Sequence, residues 1–230
     1  MFSRRAQTTS DNRRVGAKGM AIETMFKEVN GMMWPDCDTD CWPVVFNSVK
    51  DLDKVLLFCK RFEVAVQAGG NCGVWPKKLA QHFKTVYTFE PESNNFRCLV
   101  HNCDEVNIIK MQAALGYDWA PVAMVYPEGL RNMGACHIEA GGNIPVISID
   151  TLRLNACDFI QLDTEGYERE AIRGALRTIG QFQPVLMIED KGLSEKYGMP
   201  KDWTEDVLTS LGYRRAGRVE NDVVFIPEKV

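Results

Sequence analysis

The sequence predicts an α/β fold, in which a doubly wound and mostly parallel sheet carries helices on both faces. Short apolar runs alternate with helical patterns from residue 62 onward, and this alternation is typical of a parallel sheet. A glycine-rich turn joins the first run to the first helical pattern. Residues 213–227 form two strand-like runs around a turn, which is the signature of a β-hairpin.

The composition is that of an ordinary globular protein. The 230 residues are 45% hydrophobic and 25% charged, which excludes collagen-like, mucin-like and wholly disordered chains. The net charge of −4 gives no general attraction to nucleic acid, so we do not expect a nucleic-acid partner. Apolar runs are all shorter than the roughly 20 residues that span a bilayer, so we expect no membrane partner either. The composition does not predict the oligomeric state.

The eight cysteines are scattered and lie mostly inside apolar patterns. This distribution favours reduced, buried thiols, and the chain shows no secretory signal pattern, so we expect a cytoplasmic protein. A zinc site using Cys37 and Cys41, or Cys98, His101 and Cys103, is a weaker alternative because structural zinc sites usually have two tight ligand pairs.

Three segments are predicted along the chain. Residues 1–19 carry five basic residues against one acid and are expected to be a basic flexible arm. Residues 20–61 are predicted to be an N-terminal helical extension, with a helix at 20–30, a loop at 31–46 and an amphipathic helix at 47–60. Residues 62–230 form the main domain.

Within the main domain, strand and helix patterns alternate and are interrupted once by a β-rich insertion. The insertion spans residues 116–150 and holds three short strand-like pieces. The strands are predicted at 62–67, 85–90, 106–115, 158–163 and 184–190, and the helices at 75–83, 92–103, 166–179 and 202–211.

The first strand-to-helix junction is rich in glycine. Gly69, Gly70 and Gly73 lie between a buried strand and a helix, where glycine lets the backbone approach a ligand closely. The spacing differs from the G-x-G-x-x-G of dinucleotide-binding folds and from the phosphate-binding P-loop. This turn alone is a weak indication of a ligand.

Glu90 strengthens that indication. It ends the second strand, 17 residues after Gly73, where an acid can accept hydrogen bonds from both hydroxyls of a ribose. A solvated glutamate at a strand end is the simpler explanation of the residue taken alone. The turn and the acid together predict a cofactor that contains adenosine.

A second group of acids follows the fourth predicted strand. Asp163, Glu165 and Glu168 fall within six residues, and Glu189 ends the next strand. Crowded carboxylates need compensation by a metal, by hydrogen-bond donors, by a cationic ligand or by water. Glu165 and Glu168 could serve only to stabilise the start of a helix, whereas Asp163 ends a buried strand and is harder to explain structurally.

Several segments together resemble one family. They are VQAGGNCGVWPKKLA, VYTFEPESNNFRCLVHN, LRNMGAC, DFIQLDTEGYEREAIRGA, QPVLMIE and the final LGY with DVVFI. In this combination, over about residues 62–227, the chain resembles the FkbM-like family of S-adenosylmethionine-dependent methyltransferases.

The resemblance implies a Rossmann-like sheet of seven strands with an antiparallel C-terminal hairpin. It also implies S-adenosylmethionine as cofactor and O-methylation of a hydroxyl on a sugar, a glycan or another small metabolite. The implied roles are cofactor binding for Gln67, Gly69, Gly70, Asn71, Gly73, Glu90 and Ala113, catalysis for Asp163 and Glu165, and substrate binding for Asn132, His137 and Glu189, with no metal assigned.

Two departures from the family pattern keep alternatives open. Gln67 stands where many methyltransferases have an acid, and Gln161 where the family often has lysine, so a cofactor-binding protein without turnover is the main alternative. A nicotinamide-dependent oxidoreductase is a third hypothesis. His137 is a rival base to Asp163, and a divalent metal held by Asp163 with Glu165 or Glu189 is a further option. We expect residues 31–46, 116–150 and 191–203 to form the acceptor pocket.

Overall fold

A computed structural model describes residues 25–198, residue 200 and residues 202–228. The predicted arm, residues 1–19, lies outside this range. The strands are β1 (Phe26–Val29), β2 (Met32–Pro35), β3 (Val64–Ala68), β4 (Thr85–Phe89), β5 (Ile108–Met111), β6 (Ala114–Leu115), β7 (Val122–Val125), β8 (His137–Ala140), β9 (Val146–Ile147), β10 (Phe159–Leu162), β11 (Val185–Glu189), β12 (Tyr213–Val219) and β13 (Asp222–Pro227).

Most of the helices are short. The α-helices are α1 (Cys41–Ser48), α2 (Leu52–Leu56), α3 (Val74–Leu79), α4 (Ser93–Asn102), α5 (Glu168–Arg173), α6 (Leu176–Phe182) and α7 (Trp203–Ser210), with 3-10 turns at Val49–Asp51, Met133–Ala135, Ile149–Leu152 and Leu193–Tyr197. None of the helices in the described part of the chain combines the length and apolar character that a membrane span requires.

The central sheet has seven strands in the order β12-β13-β11-β10-β3-β4-β5. β13 runs antiparallel to both of its neighbours, and the other strands run parallel to one another. This arrangement confirms the predicted fold class and the C-terminal hairpin. The strand order reverses between β3 and β10, and ligands of open α/β sheets bind beyond the carboxyl ends of the strands at such a point.

Both faces of the sheet are covered by helices, as the buried strand patterns require. One face packs against α2 and α3 through residues such as Val55, Leu79 and Phe159. The other face packs against α5, α6 and α7 through residues such as Ile172 and Leu208. The edge formed by the carboxyl ends of the parallel strands lies between these two helical layers.

The prediction of a helix at residues 20–30 is wrong from Phe26 onward, because β1 and β2 form an antiparallel hairpin there. Asn30 and Gly31 both have positive φ, at 52° and 75°, as the tight turns of two-residue hairpins demand. Asn102 then fixes β2 to α4, since its side chain exchanges hydrogen bonds of 2.7 and 2.8 Å with the backbone of Met33. The Asn-Gly pair was the signal for this hairpin.

The prediction of a loop at 31–46 is also wrong, because α1 begins at Cys41. Asp38 precedes this helix, and its Oδ1 accepts a hydrogen bond of 3.0 Å from the Cys41 backbone N–H. Pro43 lies in the first turn, where a helix has no use for its missing N–H. The helix predicted at 47–60 is realised as the end of α1, a 3-10 turn and α2. The division of the chain at residues 19 and 61 stays a prediction.

The helix predicted at 166–179 is broken into α5 and α6 at Gly174. A Cβ atom on Gly174 would lie 2.2 Å from the carbonyl oxygen of Gly116, so the backbones of the insertion and of this helix meet there. The Asp150 side chain caps the N-terminus of α6, because its carboxylate accepts hydrogen bonds of 3.0 and 2.8 Å from the backbone N–H groups of Arg177 and Thr178. The β-rich insertion is present, with β7 and β8 antiparallel and β9 paired to β6. β6 lies just before the insertion, so the single strand predicted at 106–115 is divided into β5 and β6.

Candidate active site

A cleft runs along the carboxyl edge of the central sheet. Its empty volume is about 1170 Å³, including space open to solvent. We divide it at the reversal of strand order. The β3–β5 half lies at the ends of β3, β4 and β5 and includes Gly69, Glu90 and Ala113. The β10–β13 half lies at the ends of β10 and β11 and at the start of β13. It includes Asp163, Glu165, Glu189, Lys191 and Asp222.

The turn after β3 joins the two halves. The N–H groups of Gly69 and Gly70 both donate to the carbonyl of Phe89, at 3.1 and 2.9 Å, so the turn is fixed to the end of β4. Gly69 has φ of +80°, and a Cβ atom there would lie 1.8 Å from the Asp163 carbonyl oxygen. Glycine is therefore required at this position by both conformation and space.

Glu90 is buried and holds the turn through both carboxylate oxygens. Oε2 accepts a hydrogen bond of 2.7 Å from the Asn71 N–H, and Oε1 accepts one of 2.8 Å from the Glu92 N–H. Burial raises the pKa of Glu90 to about 8, although these two N–H donors act to lower it. A carboxylate has about four acceptor positions, so Glu90 retains capacity for two further donors.

Gln67, predicted to bind cofactor, lies behind the turn rather than in the cleft. Its Nε2 donates to the carbonyls of Ala68 and Gly69, at 3.2 and 2.9 Å, and its Oε1 accepts from the Thr88 hydroxyl at 2.5 Å. Gln161 pairs in register with Gln67 on the neighbouring strand and is also buried. Neither glutamine is among the described residues that line the cleft, so both departures from the family pattern fall beneath it.

Gly70 and Gly73, like Gln67, are not among the described residues that line the cleft. A Cβ atom on Gly70 would lie 2.5 Å from the Leu99 side chain, and one on Gly73 would lie 2.6 Å from the Cys103 sulfur. Their lack of a side chain lets α4 and Cys103, which follows it, approach the turn. Gly69, Asn71, Glu90 and Ala113 are the predicted cofactor residues that line the cleft.

One wall of the cleft is formed by the loop that precedes β8 and by the start of β8, which carry the predicted substrate residues Asn132 and His137, respectively. The Asn132 Oδ1 accepts a hydrogen bond of 2.8 Å from the Gly134 N–H, so this side chain shapes its own loop. The Asp38 Oδ2 accepts one of 3.2 Å from the Met133 N–H, which joins the N-terminal extension to this wall. His137 lies 4.0 Å from Glu139 and is partly buried on β8.

The β10–β13 half concentrates charge. Asp163, Glu165 and Glu189 each have a carboxylate oxygen within 4.8 Å of the others. The Lys191 ammonium lies 2.5 Å from Glu189 and 3.3 Å from Glu165. A cation of the chain's own therefore already lies in this cluster, and we assign no metal to it.

The pKa values in this half reflect that crowding. Burial and the nearby Glu165 raise the pKa of Asp163, while Lys191 lowers it. Burial and Asp163 raise the pKa of Glu189, again against Lys191. Burial, followed by the Asp163 charge, raises the pKa of Asp222 to about 8. The cluster therefore binds protons more readily than isolated carboxylates do.

Glu168 has a structural role, as the alternative interpretation of the acidic segment allowed. Its Oε1 accepts hydrogen bonds from the N–H and hydroxyl of Thr164, at 2.8 and 3.0 Å, and from the Gly166 N–H at 3.1 Å. These contacts fix the loop that carries Glu165, whose φ is +54°. Glu168 thus holds Glu165 in a conformation that few non-glycine residues adopt.

Three contributors to the cleft were not singled out from the sequence. Lys191 follows the end of β11 by two residues, and Asp222 faces Glu189 across the β11–β13 pairing. Cys41 and the following turn of α1 line the cleft from the N-terminal extension. Cys41 and Lys191 fall in the segments 31–46 and 191–203 that we expected to form the acceptor pocket, so the sequence located these segments without naming the residues.

A family model identifies the family of this chain. Residues 73–215, more than half of the chain, match the model of the methyltransferase FkbM domain. The protein belongs to the FkbM methyltransferase family, which confirms the predicted family and supports S-adenosylmethionine as the cofactor. The nicotinamide-dependent alternative is set aside by this match.

Three solved structures show similarity at low identity. Methyltransferase FkbM from Methylobacillus flagellatus is 19% identical, with a TM-score of 0.47, over 80% of this chain and 58% of that one. Magnesium protoporphyrin IX methyltransferase from Synechocystis with bound SAM is 13% identical, with a TM-score of 0.42, over 80% and 78%. TYW2 from M. jannaschii in complex with AdoMet is 12% identical, with a TM-score of 0.38, over 89% and 86%.

This chain therefore spans less than two thirds of the length of the Methylobacillus protein. A comparison with curated protein sequences found no match.

Proposed function

We propose that this protein transfers a methyl group from S-adenosylmethionine to a hydroxyl group of a sugar, a glycan or another small metabolite. The observation that carries this proposal is the arrangement of the cleft. The buried Glu90 and the glycine turn form one half. Asp163 lies in the other half, and its backbone carbonyl packs against Gly69. The donor and the reacting hydroxyl would each occupy one half.

The residues of the β3–β5 half fit the adenosine part of such a donor. Glu90 has two unused acceptor positions, which suit the two hydroxyls of a ribose. Ala113, Ala114 and Leu115 line the same half and offer an apolar surface for a base. When bound, S-adenosylmethionine supplies a methyl group on a positively charged sulfur.

The β10–β13 half would act on the hydroxyl. Asp163 would accept the hydroxyl proton while the oxygen forms a bond to the methyl carbon, and the electron pair of the broken carbon–sulfur bond stays on sulfur. The carboxylates around it would also favour the positive charge of the donor over the neutral sulfur of the product. Glu165 would support this role through its charge, since its own contact is with Lys191.

The acceptor would enter beside α1 and the loop before β8. Cys41, Val44 and Ser48 of α1 line the cleft here, together with Asn132 and His137. These residues present mostly small apolar and uncharged polar groups. A small metabolite with hydroxyl groups fits this surface, and a long polyanion does not fit the carboxylates below it.

Two measurements test the proposal. Calorimetry with S-adenosylmethionine and with S-adenosylhomocysteine should give binding to the folded protein, and absence of heat from both would refute the cofactor site. The protein should then transfer a labelled methyl group to an oxygen in a panel of sugars and polyols. Label found on nitrogen or carbon would refute O-methylation, and binding without any transfer would favour the alternative of a cofactor-binding protein without turnover.

A further inference from the structure

Lys191 is the one residue of the charged cluster that brings positive charge, within the part of the chain that the structure describes. Its ammonium bridges Glu189 and Glu165, at 2.5 and 3.3 Å, and it lines the cleft. Burial alone would lower the pKa of Lys191, but its contacts with Glu189 and Glu165 outweigh burial and the net shift is upward. Lys191 therefore stays protonated among these acids.

The backbone around Lys191 is fixed on the side of Glu165. Gly166 has φ of +104°, and a Cβ atom there would lie 2.9 Å from the backbone of Leu193. The loop after β10 and the segment after β11 are thus in direct contact next to the ion pair. This close packing holds Lys191 and Glu165 together independently of the charge between them.

Several titratable groups lie around Lys191 on the surrounding elements. Among the described residues, Glu189 of β11 and Glu165 of the loop after β10 make ion pairs with it, and the charges of Asp163 and Asp222 also interact with it. A second set interacts with these acids: Glu168 and Cys41 with Asp163, Glu220 with Asp222, and Lys196 with Glu165.

We propose that Lys191 is a positioning residue for methyl transfer, which pairs with Glu165 and Glu189 and so leaves Asp163 more often free of a proton to act on the acceptor hydroxyl. The crowded carboxylates of the cluster hold protons readily, because like charges held this close do not all ionise, and the Lys191 ammonium opposes that uptake at Asp163, Glu189 and Asp222. Without the ammonium, a proton would occupy Asp163 for more of the time. This inference rests on the proposed function, since it assumes that the donor's sulfur lies beside the cluster.

The test compares two ligands and needs no acceptor. S-adenosylmethionine and S-adenosylhomocysteine share the same ribose, so any proton linked to Glu90 cancels in the difference between them. Calorimetry of each ligand in buffers of different ionisation enthalpy gives the protons released on binding. In the wild-type protein near neutral pH, the difference in proton release between the two ligands is the baseline, because Asp222, whose pKa is raised to about 8, already holds a proton that the sulfonium ligand can displace.

In Lys191→Met the cluster should hold more protons than in the wild type, and the sulfonium ligand displaces them whereas the neutral product does not. The excess release with S-adenosylmethionine should rise above the wild-type baseline by about one proton. Lys191→Arg should restore the wild-type result because it keeps the charge. Lys84→Met is the matched control, since it removes an equal charge from the exposed ion pair of Lys84 with Glu63 and should leave the difference at its wild-type value.

An excess in Lys191→Met that is no larger than in the wild-type protein would overturn the inference. Absence of binding by the wild-type protein would instead overturn the proposed function. If Lys191→Met fails to fold, Glu189→Gln serves as the second variant. It removes one carboxylate, so the affinity for S-adenosylmethionine relative to S-adenosylhomocysteine should fall several-fold, and an unchanged ratio would contradict the role of the cluster.

Discussion

The two halves of the cleft lie on one sheet edge but use opposite chemistry. In the β3–β5 half, the buried Glu90 is held by two backbone N–H groups. In the β10–β13 half, Asp163, Glu165, Glu189 and Asp222 surround a single described lysine. The first arrangement suits recognition of neutral hydroxyl groups, and the second suits movement of a proton beside a positive charge.

This contrast also explains why the halves depend differently on local backbone. The β3–β5 half is built on glycines that allow close approach, with Gly69 against the Asp163 carbonyl. The β10–β13 half is built on side-chain contacts, with Glu168 holding the Glu165 loop and Lys191 joining two acids. We therefore expect backbone changes to damage the first half and charge changes to damage the second.

The largest expected effect comes from the β10–β13 half. Asp163→Asn removes the proposed proton acceptor while keeping the side chain's shape. Methyl transfer to an acceptor found in the labelled screen should fall by about 10²–10⁴-fold, the usual effect of losing a general base. Steady-state kinetics measure this, and Asp190→Asn, an exposed acid nearby, is the control. Undiminished turnover in Asp163→Asn would refute its catalytic role.

Gly69→Ala tests the junction between the halves. A Cβ atom 1.8 Å from the Asp163 carbonyl forces the two strand ends apart, and the positive φ adds strain. The free energy of unfolding should fall by about 3 kcal/mol, as measured by urea denaturation. Gly212→Ala is the matched control, because its φ of +79° is similar and nothing lies within 4 Å, so it should lose only about 1 kcal/mol. Equal losses of unfolding free energy in the two variants would show that the contact between Gly69 and the Asp163 carbonyl does not contribute to stability.

A smaller effect is expected from pH in the β3–β5 half. Ribose hydroxyls donate to the ionised form of Glu90, whose pKa is raised to about 8, so binding favours loss of its proton. The affinity for S-adenosylhomocysteine should rise by about tenfold between pH 7 and pH 9, because the ionised fraction of Glu90 rises by that factor. Calorimetry across this range measures it. The same rise in Glu90→Gln would assign the dependence to another group.

The main fold was predictable because its signals are local and repeated. Buried runs such as 158–163 and helix stripes such as 92–103 recur along the chain, and each specifies its own element. The break at Gly174 was not predictable, since its cause is a contact with Gly116, a residue 58 positions earlier in the sequence. The hairpin at Asn30 and Gly31 carried a clear turn signal that a helical interpretation of the preceding residues obscured.

The site was predictable where a residue ends a strand. Glu90, Asp163 and Glu189 were found in this way, because parallel strands bring their carboxyl ends to one edge. The location of Gln67 was not, since a residue one position before the strand end points into the opposite layer of the sheet. Asp222 was missed because it starts an antiparallel strand, so the rule about carboxyl ends does not apply to it.

The division of the cleft into a recognising half and a reacting half is tested most directly by one calorimetric comparison. S-adenosylhomocysteine is titrated at about pH 9 into the wild-type protein, Glu90→Gln and Asp163→Asn, each first shown to be folded by its thermal transition. We expect about tenfold weaker binding in Glu90→Gln, the loss expected for a hydrogen bond to a charged group, and binding within about twofold of wild type in Asp163→Asn. Weaker binding in Asp163→Asn with unchanged binding in Glu90→Gln would contradict it.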